Sequence, residues 1–177
     1  MPHIDDLIRA LDELLDPAAF DDYGPNGLQV PGPSEVRRVV TGVSAQRPLA
    51  ERAVELGAEL VLVHHGLFWK FLPVGLTPVL AERLRPLFKH DVGLAAYHLP
   101  LDAHPEVGNN ALLAEGFDAF LTGEPSEHVM ADAREAGIHF IAAGHYATET
   151  FGVRRLGDWL AARFGVEHHW IDIPNPV

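Results

Sequence analysis

The residues of this sequence best suited to chemistry are histidines and carboxylates, whose nitrogen and oxygen atoms bind divalent metal ions. Five of them make up the candidate set, namely His64, His65, Asp102, His145 and Glu149. Three imidazoles and two carboxylates, of which Asp102 can bridge two cations, are enough to coordinate two ions and leave positions open to water. Ions held in this way acidify water and polarise an electrophilic carbon, so the pattern predicts metal-assisted hydrolysis.

The spacing of these residues sets conditions on the backbone around them. Neighbouring side chains within a strand point to opposite faces, so His64 and His65 can serve two adjacent ions only if the strand ends there. We expect Gly66 to let the chain curl at that point. His145 and Glu149 are four positions apart and therefore share one face of a helical turn. A lone histidine at a strand end is more often structural than a ligand, whereas an adjacent pair after a buried strand is about equally often either. A His-x-x-x-Glu pair alone is weak evidence, but the five residues together favour a metal site.

The elements that must position these residues follow from the apolar pattern. Short apolar runs predict strands at 36–43, 60–63, 92–97, 117–121, 138–142 and 166–173. Helical periodicity predicts helices at 3–15, 46–57, 77–90, 106–115, 125–136 and 149–164. Strands that alternate with helices indicate an α/β protein with a central sheet covered by helices.

The candidate ligands share one kind of position in this scheme. The His64-His65 pair, Asp102 and His145 each come just after a predicted strand. Ligands of open α/β sheets bind beyond the carboxyl ends of the strands. We therefore expect these segments to converge on one site.

Composition excludes several alternatives. The chain has 177 residues, 47% of them apolar and 21% charged, as in an ordinary globular protein. A net charge of −12 without a basic stripe makes nucleic acid an unlikely partner. The absence of cysteine rules out disulfides and thiolate ligands, so a metal must bind to imidazole and carboxylate groups, which suit Zn, Fe, Mn or Co. No signal peptide and no apolar run of about 20 residues is present, so we expect a cytoplasmic protein without a membrane span.

Three further residues are candidates for a catalytic role. His98 and His104 flank Asp102 and can orient ligands or relay protons. Glu124 also follows a predicted strand and can act as a base, although a carboxylate at that position is equally explained by the dipole of the following helix. A second histidine pair, His168-His169, falls inside the last predicted strand, so we interpret it as surface or packing.

Several motifs together resemble a known family. They are His64-His65-Gly66-Leu67-Phe68-Trp69, the segment from His98 to Pro105, Gly108-Asn109-Asn110, Leu121-Thr122-Gly123-Glu124, the segment from Ala143 to Glu149, and the terminal segment from Ile171 to Pro176. This family is named for a yeast NGG-one interacting factor three, and its members are also called GTP cyclohydrolase type-two homologues with a dinuclear metal centre. The resemblance implies the same five metal ligands, two ions per chain, two related α/β halves around a mixed sheet, and a ring-shaped homohexamer.

The sequence departs from the family pattern at one place. Several dozen residues that normally separate the helix after Gly108-Asn109-Asn110 from the strand before Thr122-Gly123-Glu124 are missing between about residues 115 and 116. The expected halves are therefore 1–115, with the His-His and Asp ligands, and a shortened 116–177, with the His-x-x-x-Glu ligands. The shortening bears on the substrate pocket and on the hexamer more than on the ligands.

Three functions remain open from the sequence. The first is a metal-dependent hydrolase of the GTP cyclohydrolase kind, acting on a nucleotide or another small molecule. The second is a non-catalytic metal-binding or adaptor protein, and the third is a metal-dependent peptidase or phosphoesterase. The sequence contains no phosphate-binding P-loop motif, so a nucleotide would need other anchors, for which Lys70, Arg47 and Lys89 are candidates.

Overall fold

The computed structural model describes residues 1–114, 120–123, 134–135, 137 and 139–175. Its α-helices are α1 (Ile4–Leu15), α2 (Arg47–Glu55), α3 (Pro78–His90), α4 (Leu99–Ala103), α5 (Asn109–Ala114), α6 (His145–Thr148) and α7 (Thr150–Phe164), and a short 3-10 helix covers Pro17–Ala19. Its strands are β1 (Gly27–Val30), β2 (Arg38–Ser44), β3 (Leu60–His65), β4 (Gly93–Ala96), β5 (Phe120–Thr122), β6 (Phe140–Ala142) and β7 (Glu167–Trp170).

The main sheet has five strands in the order β1-β4-β3-β2-β7. Strand β1 runs antiparallel to β4, and the other neighbours are parallel. The predicted class, a central mixed sheet covered by helices, is therefore confirmed. Strands β5 and β6 pair in parallel as a separate two-stranded sheet.

Side-chain alternation along the central strand β3 explains why helices cover both faces. Leu60 and Leu62 belong to a buried cluster with α1 and α7, whereas Val61 and Val63 belong to a second cluster with α2 and α3. All four side chains are at most 1% exposed. A strand buried on both faces has a continuous apolar run, which is why this segment is conspicuous in the sequence.

The observed elements differ from the predicted ones near the candidate ligands. Strand β3 continues through His64 and His65, two residues beyond the predicted end, because His65 still pairs with Ser44 of β2. Asp102, predicted just past the strand 92–97, lies within the short helix α4, which was not among the predicted helices. His145 begins helix α6, and Glu149 follows it directly, so the two residues share a turn as expected.

Strand β7 joins the main sheet beside β2, and helix α7 packs against both strands. The expected boundary between residues 115 and 116 lies outside the described residues, and the division into two halves stays a prediction. Most of the predicted helix 125–136 also lies outside them. Within the described ranges, no helix is long and apolar enough to cross a membrane.

Candidate metal centre

Strand β3 delivers both histidines of the first pair to the carboxyl end of the sheet. The His64 side chain is fully buried and that of His65 is 21% exposed, yet their ring centroids are only 4.7 Å apart. The φ angle of Gly66 is not in the left-handed region, so backbone dihedrals do not explain the glycine. A side chain at this position would instead meet the side chain of Gln29. A methyl group there would lie 2.7 Å from the Cδ atom of Gln29. The Gln29 amide holds the turn by accepting a hydrogen bond from the backbone of Leu67 at 2.8 Å.

The Glu149 carboxylate lies at the centre of the candidate ligands. Its Oε1 atom is 3.5 Å from His64 Nε2 and 3.0 Å from His145 Nε2. Its Oε2 atom is 3.3 Å from His65 Nε2. Asp102 Oδ1 lies 3.6 Å from the same Nε2 atom of His64. The structure therefore brings together all five residues selected from the sequence.

These residues fit a metal ion by the chemistry of their facing atoms. His64 Nδ1 lies 3.1 Å from the carbonyl oxygen of Tyr97, which can only accept, so Nδ1 carries the hydrogen and Nε2 of a neutral ring presents a lone pair. His64 Nε2 and Glu149 Oε2 are buried, and neither has a hydrogen-bond partner in the described part of the chain. Buried acceptors without a hydrogen-bond donor are costly, and a cation bound beside them would remove that cost.

The separations of these atoms also suit a metal. A tetrahedral site with bonds of about 2.0–2.1 Å places neighbouring ligand atoms roughly 3.3 Å apart. The distances from the two oxygens of Glu149 to the three imidazoles span 3.0 to 3.5 Å. The side chains are thus already spaced as they would be around an ion.

The electrostatics of the cluster favour a carboxylate and a positive charge beside it. Burial alone would raise the pKa of Glu149, but His64 and His65 outweigh burial and lower that pKa to about 2. Burial alone would lower the pKa of His64, but Glu149 and Asp102 outweigh it and raise that pKa. The cluster therefore favours a positive charge beside the carboxylate, and a bound metal ion can take the place of a proton.

Asp102 is held in place by a buried asparagine. Asn109, 2% exposed, donates from Nδ2 to Asp102 Oδ1 at 2.9 Å and accepts at Oδ1 from the backbone of Gly152 at 2.7 Å. Gly152 permits this approach, since a Cβ atom there would lie 2.9 Å from Asn109 Oδ1. One side chain thus links the candidate ligand Asp102 to helix α7, which follows Glu149.

His98 joins the cluster through a partner that the sequence did not reveal. Its Nδ1 atom lies 2.7 Å from Oδ1 of Asp22, which is 5% exposed. Because a carboxylate only accepts, His98 Nδ1 carries the hydrogen and Nε2 presents a lone pair. Burial tends to raise the pKa of Asp22, but hydrogen bonds from His98, Asn26 and the backbone of Leu99 outweigh it and lower the pKa. The His98 ring centroid lies 5.0 Å from that of His64.

The described residues contain two overlapping groups that could hold an ion. One group comprises His64, His65 and His98, the other comprises His65, His145 and Glu149, and in each the ligand atoms lie within 4.8 Å of one another. His104 is not in either group, and its Nδ1 accepts backbone hydrogen bonds from Glu106 and Val107 in the turn after α4. Glu124 lies outside the described residues, so its predicted role stays a prediction.

Comparison with known proteins agrees with the family resemblance of the sequence motifs. The chain matches the family described as Duf34/NIF3 (NGG1p interacting factor 3) in two stretches, residues 2–117 and 113–176. A relative from Pseudomonas aeruginosa, named GTP cyclohydrolase 1 type 2 homolog, is 38% identical, and the match covers 97% of each chain. A relative of the same name from Escherichia coli (strain K12) is 37% identical, over 97% of this chain and 98% of the relative.

Two solved structures have the same fold. Protein ybgI matches 99% of this chain and 100% of its own, with a TM-score of 0.91 and 35% identity. TTHA1606 from Thermus thermophilus matches over the same shares, with a TM-score of 0.88 and 31% identity.

The comparisons also show how many positions of a relative this chain lacks, and where in the chain the gap lies. It runs over 245 positions, whereas the chain has 177 residues, so at least 68 positions of the relative have no counterpart here. The two stretches that match the family meet at residues 113–117, where the sequence motifs indicated a missing segment.

Proposed function

The chain belongs to the Duf34/NIF3 family, and we propose that it is a hydrolase that binds two divalent metal ions. The observation that carries the proposal is the Glu149 carboxylate, whose two oxygens face three imidazoles at 3.0 to 3.5 Å. The proposed ligands are His64, His65, Asp102, His145 and Glu149. Zn, Fe, Mn and Co all suit this mixed set of nitrogen and oxygen donors.

Two ions rather than one are supported by the arrangement of the donors. The two oxygens of Glu149 point to different histidines, as in a carboxylate that bridges two cations. His64 Nε2 and His145 Nε2 both lie near Oε1 of this carboxylate, and Asp102 adds a further oxygen 3.6 Å from His64 Nε2. The five side chains together offer more donor atoms than one four-coordinate ion uses.

Bound divalent ions would supply Lewis-acid chemistry, acidifying water and polarising the substrate. The chain's own contribution is to hold these groups in a buried place and to accept the proton released. His98 is the proposed acceptor, because Asp22 fixes the hydrogen on Nδ1 and leaves Nε2 directed toward the histidine cluster. Asp22 is the positioning residue for His98, and a base positioned in this way contributes about 10²–10⁴-fold to a rate.

The first substrates to test follow from the relatives. Those from Pseudomonas aeruginosa and Escherichia coli are named GTP cyclohydrolase 1 type 2 homologs. Attack of water on a ring carbon of GTP fits the proposed chemistry, so hydrolysis of GTP leads a screen that also includes other nucleotides and dipeptides. A peptidase or phosphoesterase would appear in the same screen.

Metal analysis of the protein purified without chelator tests the binding part of the proposal. We expect close to two equivalents of a transition metal per chain, and a clear fall in the Asp102→Ala variant. A content well below one equivalent that Asp102→Ala leaves unchanged would overturn the metal site. The matched control is Asp158→Ala, an exposed carboxylate that pairs only with His168 among the described residues.

The His98→Gln variant tests the catalytic part. It should keep the metal content of the wild type and lose about 100-fold in kcat on whichever substrate is turned over. Loss of metal from His98→Gln would instead make His98 a ligand. The Asp22→Asn variant should change the pH profile of kcat with little effect on metal content.

The alternative of a metal-binding protein without turnover is favoured by one observation. At least 68 positions of the Pseudomonas aeruginosa relative are absent from this chain. Two bound equivalents of metal, without hydrolysis of any compound in the screen, would support this alternative over the hydrolase.

Self-association is a further part of the proposal. Five apolar side chains between residues 71 and 79 are exposed, namely Phe71, Leu72, Val74, Leu76 and Val79. A concentration of exposed apolar surface of this kind is typical of an interface. We expect an oligomer, a hexamer by family resemblance, in light scattering after gel filtration, and a smaller species for Leu76→Asp. Phe88→Asp, also exposed but outside this segment, is the control.

A further inference from the structure

We propose that the cleft beside the metal centre binds a small molecule that carries both a flat ring and an oxyanion, with Arg83 as the counter-ion of the oxyanion. The cleft has a volume of about 460 Å³ and reaches the cluster at His65 and His98. This volume lies within the range of roughly 300–1,000 Å³ typical of small-ligand sites. The inference rests on the proposed function only for the identity of the bond that reacts.

One wall of the cleft is aromatic and continuous with the histidines. The Trp69 ring stacks on Phe71, with centroids 5.6 Å apart and an interplanar angle of 17°. Trp69 also meets His98 edge-on at 5.1 Å and His65 at 6.0 Å. The side chain of Phe71 is 71% exposed although it lines the cleft. A flat ring seated against this wall would cover apolar surface and gain stacking contacts.

Arg83 is the cation that lines the cleft, and it is half-buried. Within the described ranges, no carboxylate lies within ion-pair distance of its guanidinium, and no hydrogen bond to it is formed. The nearest sequence neighbour of opposite charge, Glu82, is already paired with Arg47 at 3.1 Å and with Arg85 at 3.2 Å. A half-buried guanidinium without a counter-ion is unusual in a chain with 25 acidic and 13 basic residues.

The cations that the sequence suggested as anchors do not share this property. Lys70 is paired with Asp21 at 2.6 Å, and Arg47 is paired with both Glu51 and Glu82. Lys89 is exposed and is not part of the cleft lining. Arg83 therefore has the greatest remaining capacity to bind an anion near the candidate metal site.

A second polar group in the cleft supports the same interpretation. Gln46 lines the cleft, is half-buried, and makes no side-chain hydrogen bond to the described residues. Its amide can add a donor beside the planar guanidinium, whose paired N–H groups match the oxygens of a carboxylate or a phosphate. The common requirement is an oxyanion, and the two sources of it are separated by experiment.

Calorimetric titration of the protein as purified, with its metal content measured, tests this proposal. The probes are phenyl phosphate, benzoate and the neutral benzyl alcohol. We expect Arg83→Gln to weaken at least one anionic probe by about tenfold or more and to leave benzyl alcohol unchanged. The stronger of the two anions identifies the source of the oxyanion. Trp69→Leu should weaken all three probes.

The control is Arg85→Gln, an exposed arginine on the same helix that is paired with Glu82. Equal effects of Arg83→Gln and Arg85→Gln, or none from either, would overturn the proposal. Anion binding that survives Arg83→Gln but is lost in His145→Ala would also overturn it, because the anion would then bind at the metal ligands. Failure of the metal analysis or of the hydrolysis screen would leave these binding results standing, so the two proposals fail separately.

Discussion

The same dipeptide, His-His, occurs on two parallel strands of the main sheet with opposite outcomes. His64-His65 ends strand β3, and His65 pairs with Ser44 at the last position of β2. His168-His169 lies inside β7, and His168 pairs with Val39 near the beginning of β2. The two pairs are therefore at opposite ends of the strand that separates them, and only the first is at the carboxyl end, where ligands bind.

The partners of the two pairs differ in the same way. His64 and His65 share one buried carboxylate, Glu149. In the second pair the rings diverge: His168 contacts Thr41 at 2.8 Å and Asp158 at 3.0 Å, whereas His169 faces Glu167. Convergence on a common acid, rather than the dipeptide itself, distinguishes a candidate metal site from a packing arrangement.

Removing one histidine from each pair should give the largest contrast. His64→Ala takes away a buried donor between Glu149 and Asp102, and we expect metal affinity to fall by about 100-fold or more, since even indirect supports of a metal site are worth about 10–100-fold. His168→Ala should leave metal affinity unchanged and cost only stability. Competition with a chromogenic chelator measures both affinities. Equal losses in the two variants would remove the distinction between the pairs.

The next largest difference between the two histidine pairs should appear in the stability of the fold at low pH. In metal-free protein the pKa of Glu149 is lowered from 4.5 to about 2, so this carboxylate stabilises the fold fully above pH 4.5 and progressively less as the pH falls toward 2. Glu149→Gln should abolish this part of the acid sensitivity, which we expect to amount to roughly 1–3 kcal/mol. Urea unfolding at several pH values measures it.

The matched control at the second pair is Glu167→Gln. The pKa of the Glu167 carboxylate is lowered chiefly by Arg38, but the Glu167 side chain is 49% exposed. Solvent screens exposed charges, so Glu167→Gln should change the pH dependence much less than Glu149→Gln. An equal change would show that burial of the acid does not distinguish the two pairs.

The sequence predicts the first pair well because the relevant information is local. The apolar run 60–63 marks a buried strand, and the residues after such a strand meet those after its neighbours. Asp22 was missed because its contact with His98 crosses 76 positions and nothing in the loop around it signals a buried carboxylate. Strand β1 was missed because its four residues owe their conformation to pairing with β4. Arg83 was missed because the sequence does not show which side chains surround a charged residue in the fold, and therefore whether it has a counter-ion.

Glycines beside the two pairs should respond differently to an added methyl group. At Gly157 a Cβ atom would overlap the His168 ring, and that ring is held by both Thr41 and Asp158. We expect Gly157→Ala to lower the free energy of unfolding by about 1–3 kcal/mol, as overpacking does. At Gly66 the obstacle is the flexible end of Gln29, which can turn away with the loss of its hydrogen bond from Leu67, so we expect Gly66→Ala to cost less. Thermal unfolding of both variants decides the order, and a larger loss in Gly66→Ala would contradict it.

The smallest expected effect is that of Asp158→Asn, which removes the carboxylate paired with His168. Burial lowers the pKa of His168, and Asp158 opposes that shift. Asp158→Asn should therefore lower the pKa of His168 further, as measured by NMR titration of the ring. A neutral His168 stabilises the fold above its ordinary pKa of 6.5, and this stability falls as the pH drops below 6.5 and protons bind the unfolded chain in preference. The variant should deepen that loss, but by no more than about 1 kcal/mol, because Asp158 is 71% exposed. At His64 the net shift is opposite, since Glu149 and Asp102 together outweigh burial and raise the pKa. A rise in the pKa of His168 in Asp158→Asn would contradict the conclusion that Asp158 opposes burial at the second pair.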